Sequence, residues 1–171
     1  MRRDEGFTLV ELVITMVILG IIGAAISTAI VVGLRTTDAT QTRLAQSHDR
    51  QMTPAFFITD VQSSDDVSLS DTTCSGVIPV VRFQWTDQGV VKVAAYAIVA
   101  AENERQLRRY YCEDSVVINT SSVVHNLSVS VNPVLVCTPA CPGTSTPSKV
   151  TLTITDTSGA SFDVVGSRRV G

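Results

Sequence analysis

The sequence predicts an α+β protein: a long N-terminal helix, membrane-spanning in its first half, packed on an antiparallel β-sheet. Three observations predict it. No residue between Leu12 and Leu34 is charged, a run longer than the roughly 18 apolar residues that mark a spanning helix. The stretch from Arg35 to Ser64 turns polar but keeps helical character. After Val77 valine becomes abundant, in short runs separated by turn residues, as strands require. The 171 residues suit one domain with a tail. They divide into a hydrophilic leader (1–6), a spanning helix (7–34), its soluble continuation (35–64) and an antiparallel β domain (65–171).

The helix begins abruptly. Met1-Arg2-Arg3-Asp4-Glu5-Gly6 is hydrophilic, and Phe7-Thr8-Leu9-Val10 opens the apolar run. Arg2 and Arg3 keep the leader in the cytoplasm by the positive-inside rule, so everything beyond Leu34 lies across the membrane. Three readings compete. An uncleaved signal anchor is one. A secretory signal peptide cut near Ala24, Ala25, Ser27 and Ala29 is another, but its apolar core normally runs only about 7–15 residues. The third is a cut at the polar–apolar junction, between Gly6 and Phe7.

Glu11 separates these readings. An acid at the centre of a membrane helix costs about 2.5–3.5 kcal/mol, less near an end, and neither anchors nor signal peptides use one. A cut after Gly6 creates an α-amine on Phe7, and Glu11 lies four residues on, one turn up the same face. The carboxylate then neutralises that amine in its own subunit or in a neighbour. Both groups are expensive unpaired in a low dielectric, so pairing fixes one axial register. An acid that merely complements the helix dipole gains about 0.3–1 kcal/mol, which accounts for Glu11 but not for the Gly-Phe junction.

Past Leu34, Leu44, Ala45, Met52, Ala55 and Phe56 form a sparse apolar stripe facing the sheet. Threonines between 36 and 42 weaken the helix. Pro54 predicts a kink after Met52, then a short piece through Val61. Asp65 to Thr73 is a polar connection, without the regular oxygen spacing of a calcium loop. Strands are expected at Val77–Trp85, Val90–Val99 (joined by Asp87-Gln88-Gly89), Gln106–Cys112, Val123–Val131, Val134–Cys137, Lys149–Thr155 and Phe162–Val165, the last closing the sheet. Leu127, Val129 and Val131 share one face. Arg105, Arg108 and Arg109 are expected to point outward.

Cys74, Cys112, Cys137 and Cys141 fall in the part expected outside the cytoplasm, where an even count fits two disulfides. Three pairings are open; the expectation is Cys74 with Cys112 and Cys137 with Cys141. His48 and His125 lack co-ligands at metal spacing, so no metal and no cofactor are expected. The patterns Asn119-Thr120-Ser121 and Asn126-Leu127-Ser128 match a glycosylation acceptor by pattern alone. No nucleophile elbow, phosphate loop or triad is present, so no enzyme is expected. The net charge of −3 and the lack of a basic stripe give no nucleic-acid partner.

Gly6-Phe7-Thr8-Leu9-Val10-Glu11-Leu12, followed by an uncharged apolar helix, resembles the class III signal sequence of type IV pilins and type II secretion pseudopilins. The resemblance covers about the first 30 residues. It implies that a prepilin peptidase cuts after Gly6 and methylates Phe7, and that Glu11 sets subunit register. The implied partners are other pilins or pseudopilins in a helical filament, the peptidase, an inner-membrane assembly platform and membrane lipid. The implied location is the inner membrane before assembly and a surface or periplasmic filament after it. The leader departs from the pattern in mixing Asp4 and Glu5 with its arginines. More loosely, Phe56-Phe57-Ile58-Thr59-Asp60-Val61, an acidic loop and strands ending in Val123-Val124-His125-Asn126-Leu127 are similar in layout to J-type pseudopilins and W-type minor pilins. That layout implies a minor subunit that initiates or caps the filament; a major pilin, or a minor pilin capturing DNA or a surface, shares the same N-terminus.

Overall fold

A computed structural model describes residues 8–101, 104–141 and 146–168, apart from the side chains of residues 38, 39, 41 and 42. The architecture is α+β: among the described residues, one helix, α1 (Leu9–Ser63), then eight strands in two antiparallel sheets. The chain forms two compact units, Met1–Leu44 and Ala45–Gly171.

In the first unit α1 starts directly after Thr8. The Thr8 carbonyl accepts the Leu12 N–H at 3.2 Å, and the Thr8 hydroxyl accepts the Glu11 N–H at 3.3 Å, satisfying donors that a helix start leaves free. The segment Leu9–Thr37 is long and apolar enough to cross a membrane, with a mean hydropathy of 2.6, and none of it is buried in the protein. Its hydroxyls are satisfied within the helix. Thr15, Ser27, Thr28, Thr36 and Thr37 each donate to the carbonyl four residues back, at 2.5–3.0 Å. Lipid offers no partner for a stray donor, so this back-bonding is what a spanning helix needs.

In the second unit the last part of α1 buries Asp49, Thr53, Phe57, Asp60 and Val61, residues that share one face by i, i+4 and i+3 spacing. This differs from the expected stripe: Leu44 is 64% exposed, and Ala55 is exposed too. Pro54 lies inside the helix, which continues to Ser63. The burial of Phe57 and Val61 beyond the proline holds this part to the sheets. Ser64 ends the helix, its hydroxyl donating to the Val61 carbonyl at 2.9 Å.

The first sheet has the order β1 (Asp66–Ser68), β2 (Val81–Asp87), β3 (Val90–Ala101), β4 (Glu104–Glu113), β5 (Val116–Val124). Two tight turns set its register. Gln88 and Gly89 have φ of 51° and 85°, and Asp114 and Ser115 have 46° and 70°, the left-handed pairs that match strand twist in a two-residue hairpin. The second sheet has the order β6 (Val134–Thr138), β7 (Lys149–Thr155), β8 (Ser161–Ser167). Phe57 and Val61 meet Val81, Phe83, Tyr96, Leu107, Val123, Leu127, Val150, Leu152, Ile154 and Val164 in one core. Gly166 is required where β8 meets the helix: a Cβ there would lie 2.7 Å from the Val61 side chain.

Several strand expectations are corrected. The segment 77–80 is not a strand; β2 starts at Val81, because Pro79 lacks the ladder N–H and Gly76 turns the chain at φ 71°. The polar connection contains the short β1, paired with β2. The alternating run Val123–Val131 is not one strand. β5 occupies Val116–Val124 instead, and Asn126 at φ 52° breaks the extended line. Leu127 then turns inward while Val129 is 78% exposed. The Ser128 hydroxyl takes the Val131 N–H at 3.2 Å, the local bonding by which serine competes with a ladder. This irregular segment carries the chain out of the first sheet, so there are two sheets and not one.

Candidate functional site

The sequence places the functional chemistry at the start of the helix. Gly6 and Phe7 lie outside the described residues. Glu11 lies in the first turn of α1, exposed, with its backbone N–H held by Thr8. The pattern Thr8-x-x-Glu11 is the sequence form of a capping box, a signal that singles out Thr8 beside the three residues the sequence reading names. Thr8 thereby starts the helix three residues before Glu11.

Four cysteines are joined in two disulfides. Cys74 and Cys112 have their sulfurs 1.99 Å and their Cα atoms 5.8 Å apart. Cys137 and Cys141 have Cα atoms 5.6 Å apart. The first pair ties the 69–80 connection to the buried end of β4; the second closes a loop after β6. Pro142 to Ser145, the rest of that loop, lie outside the described residues.

A polar network fastens the helix to the first sheet. Asp60 accepts a two-pronged bond from Arg109, Nε and Nη2 each at 2.7 Å, and a third from the Tyr96 hydroxyl at 2.6 Å. The guanidinium lies 5.1 Å from the ring centroids of both Phe56 and Tyr111. Burial pushes the Tyr96 phenol well above its ordinary value, and the Asp60 charge pushes it further. Burial opposes the Arg109 charge, but the bonds to Asp60 and its charge outweigh that. The expectation that Arg109 points outward is therefore corrected: it is a half-buried partner of the helix. Arg105 donates to the Ser128 carbonyl at 2.6 Å and to Asn132 Oδ1 at 2.7 Å. Arg105 and Arg109 are thus both engaged within the domain.

A second latch lies one strand over. Thr53 donates to the Val123 carbonyl at 2.7 Å, and Asp49 accepts the His125 N–H at 2.8 Å. The His125 Nδ1 lies 2.9 Å from the other Asp49 oxygen. These side chains satisfy part of the outer edge of β5, which otherwise has no neighbouring strand among the described residues. His125 is thus a structural partner of Asp49. Among the described residues no group of three or more His, Cys, Asp or Glu is arranged to hold a metal.

Comparison with known proteins bears on the N-terminal segment. Residues 1–27 match the family model described as "Prokaryotic N-terminal methylation motif". No curated protein and no solved structure matches the chain. The match, the apolar helix and the antiparallel sheets support a type IV pilin-like or pseudopilin precursor. They fit a membrane-anchored precursor and point to a structural subunit rather than an enzyme.

Proposed function

We propose that this chain is a minor pilin or pseudopilin. Prepilin peptidase cuts it after Gly6 and methylates Phe7; residues 7–34 hold it in the inner membrane with the β domain outside; and it enters a helical filament that it helps to initiate or cap. The observation that carries the reading is the methylation-motif match over residues 1–27, which contains the Gly6-Phe7 junction and Glu11. The amine released at Phe7 and the Glu11 carboxylate are complementary charges in a medium that penalises either alone. A subunit docked at the wrong height leaves both unpaired, so the pair selects register. A strand-rich domain with two disulfides and the layout from Phe56 to Leu127 support the minor-subunit reading. Glu11→Val tests the role of the acid. The variant should remain in the membrane at the normal level, while its share in the filament fraction falls at least about tenfold, equivalent to about 1.4 kcal/mol. Incorporation at the unchanged level would contradict the register role.

A further inference from the structure

We infer that His48 and His125 form a surface site for one divalent transition-metal ion, which ties α1 to the end of β5. Asp49 prepares this site. One Asp49 oxygen accepts the His125 N–H at 2.8 Å, and the other lies 2.9 Å from the His125 Nδ1. A carboxylate only accepts, so the imidazole proton sits on Nδ1 and Nε2 keeps its lone pair. A carboxylate holding the far N–H of a histidine is the arrangement that orients imidazole ligands and raises their basicity. The Asp49 side chain is 7% exposed and that of His125 32%. A buried acid thus holds a ring that still reaches solvent, and its negative charge favours a cation on that ring.

His48 supplies the second imidazole. It precedes Asp49 on α1 and is exposed, and its ring centroid lies 6.3 Å from that of His125. With metal–nitrogen bonds of about 2.0–2.1 Å, two imidazoles on one ion keep their centroids roughly 5 Å apart at the tetrahedral angle and about 6.4 Å apart at the linear limit. A change of rotamer at the exposed His48 closes the difference. The neighbouring cation, Arg50, lies over the Phe162 ring of β8 at 5.6 Å. Imidazole nitrogen suits Zn²⁺, Cu²⁺ and Ni²⁺ rather than Mg²⁺ or Ca²⁺. With two protein ligands the remaining positions go to water, so the site is open and not a closed structural one. The expectation of no metal rested on spacing along the chain, and 77 residues separate the two histidines. One ligand stands on the helix and the other just past β5, so the ion clamps the two elements beside the Thr53–Val123 bond. An ion that binds only this folded arrangement stabilises it.

The test uses the full-length chain in detergent, freed of metal by a chelator and dialysed against Zn²⁺. It should take up one ion per chain at sub-millimolar free Zn²⁺, and its melting temperature should rise by a few degrees. His48→Ala changes an exposed side chain and leaves the Asp49–His125 bonds in place. Its melting temperature without metal should match that of the unaltered chain. Its Zn²⁺ binding should weaken at least about tenfold, no less than the loss of an outer-shell partner costs a metal site, and the rise on adding Zn²⁺ should disappear. Cu²⁺ in place of Zn²⁺ should give an electron paramagnetic resonance spectrum with two imidazole nitrogens in the unaltered chain and one in His48→Ala. No Zn²⁺ uptake by the unaltered chain would overturn the site. So would equal uptake and an equal rise in His48→Ala, or a copper spectrum that shows one imidazole in the unaltered chain.

Discussion

Asp60 is the residue on which the helix-to-sheet attachment turns, because it satisfies Arg109 and Tyr96 at once. Asp60→Ala leaves a half-buried guanidinium and a buried phenol without their partner and should cost about 3 kcal/mol in a denaturant titration. Asp60→Leu with Arg109→Met, which removes both charges, should lose much less. Tyr96 gives a pH signature. Its phenol is held well above the ordinary 10.0, so the unfolded chain releases that proton first. Stability attributable to this group is constant below about pH 10 and falls as pH rises past it. Tyr96→Phe should flatten that alkaline fall in unfolding curves taken between about pH 9 and 11. None of this was legible in the sequence, since Asp60 and Arg109 stand 49 residues apart and each reads alone as a solvated charge. Glu11 was legible because its signal is local: a charge where the apolar run should hold none.

At the scale of elements, two contacts decide how the end of α1 sits on its sheets. Thr53→Val removes the donor that satisfies the Val123 carbonyl and should cost about 1–3 kcal/mol. Gly166→Ala drives a methyl against Val61 and should cost about 1–3 kcal/mol by overpacking. Adding Val61→Ala should restore part of the Gly166→Ala loss, a coupling that a double-mutant cycle of unfolding free energies would show. The sequence revealed elements whose pattern was apolar and hid those whose pattern was polar. The buried helix stripe contains Asp49, Thr53 and Asp60, which hydropathy assigns to solvent; the phase of Phe57 and Val61 could have found it. β5 was hidden because Asp114-Ser115 turns the chain without a glycine. Val123–Val131 misled because its alternation continues through Asn126, where the backbone does not.

At the scale of the whole molecule, the chain combines a helix apolar enough for lipid with a β domain closed by disulfides. The two bridges should differ in weight. Cys74 and Cys112 are 38 residues apart and Cys137 and Cys141 only 4. Loop-closure entropy assigns about 4 kcal/mol to the longer loop and about half that to the shorter. Replacing Cys74 and Cys112 together by alanine should therefore lower the melting temperature of the domain more than replacing Cys137 and Cys141, read by circular dichroism. The α+β class was legible because hydropathy separates the two parts. The division into two sheets was not, since it depends on one irregular segment between β5 and β6.

Where the mature chain begins decides whether it is a processed prepilin. Intact mass and fragmentation of the protein from its native membrane would read this. The predicted result is a chain starting at Phe7 and carrying one added methyl group on its amine. A chain still starting at Met1 would contradict it in favour of a plain signal anchor. A start beyond Ala24 would make the protein a secreted one and remove the role assigned to Glu11.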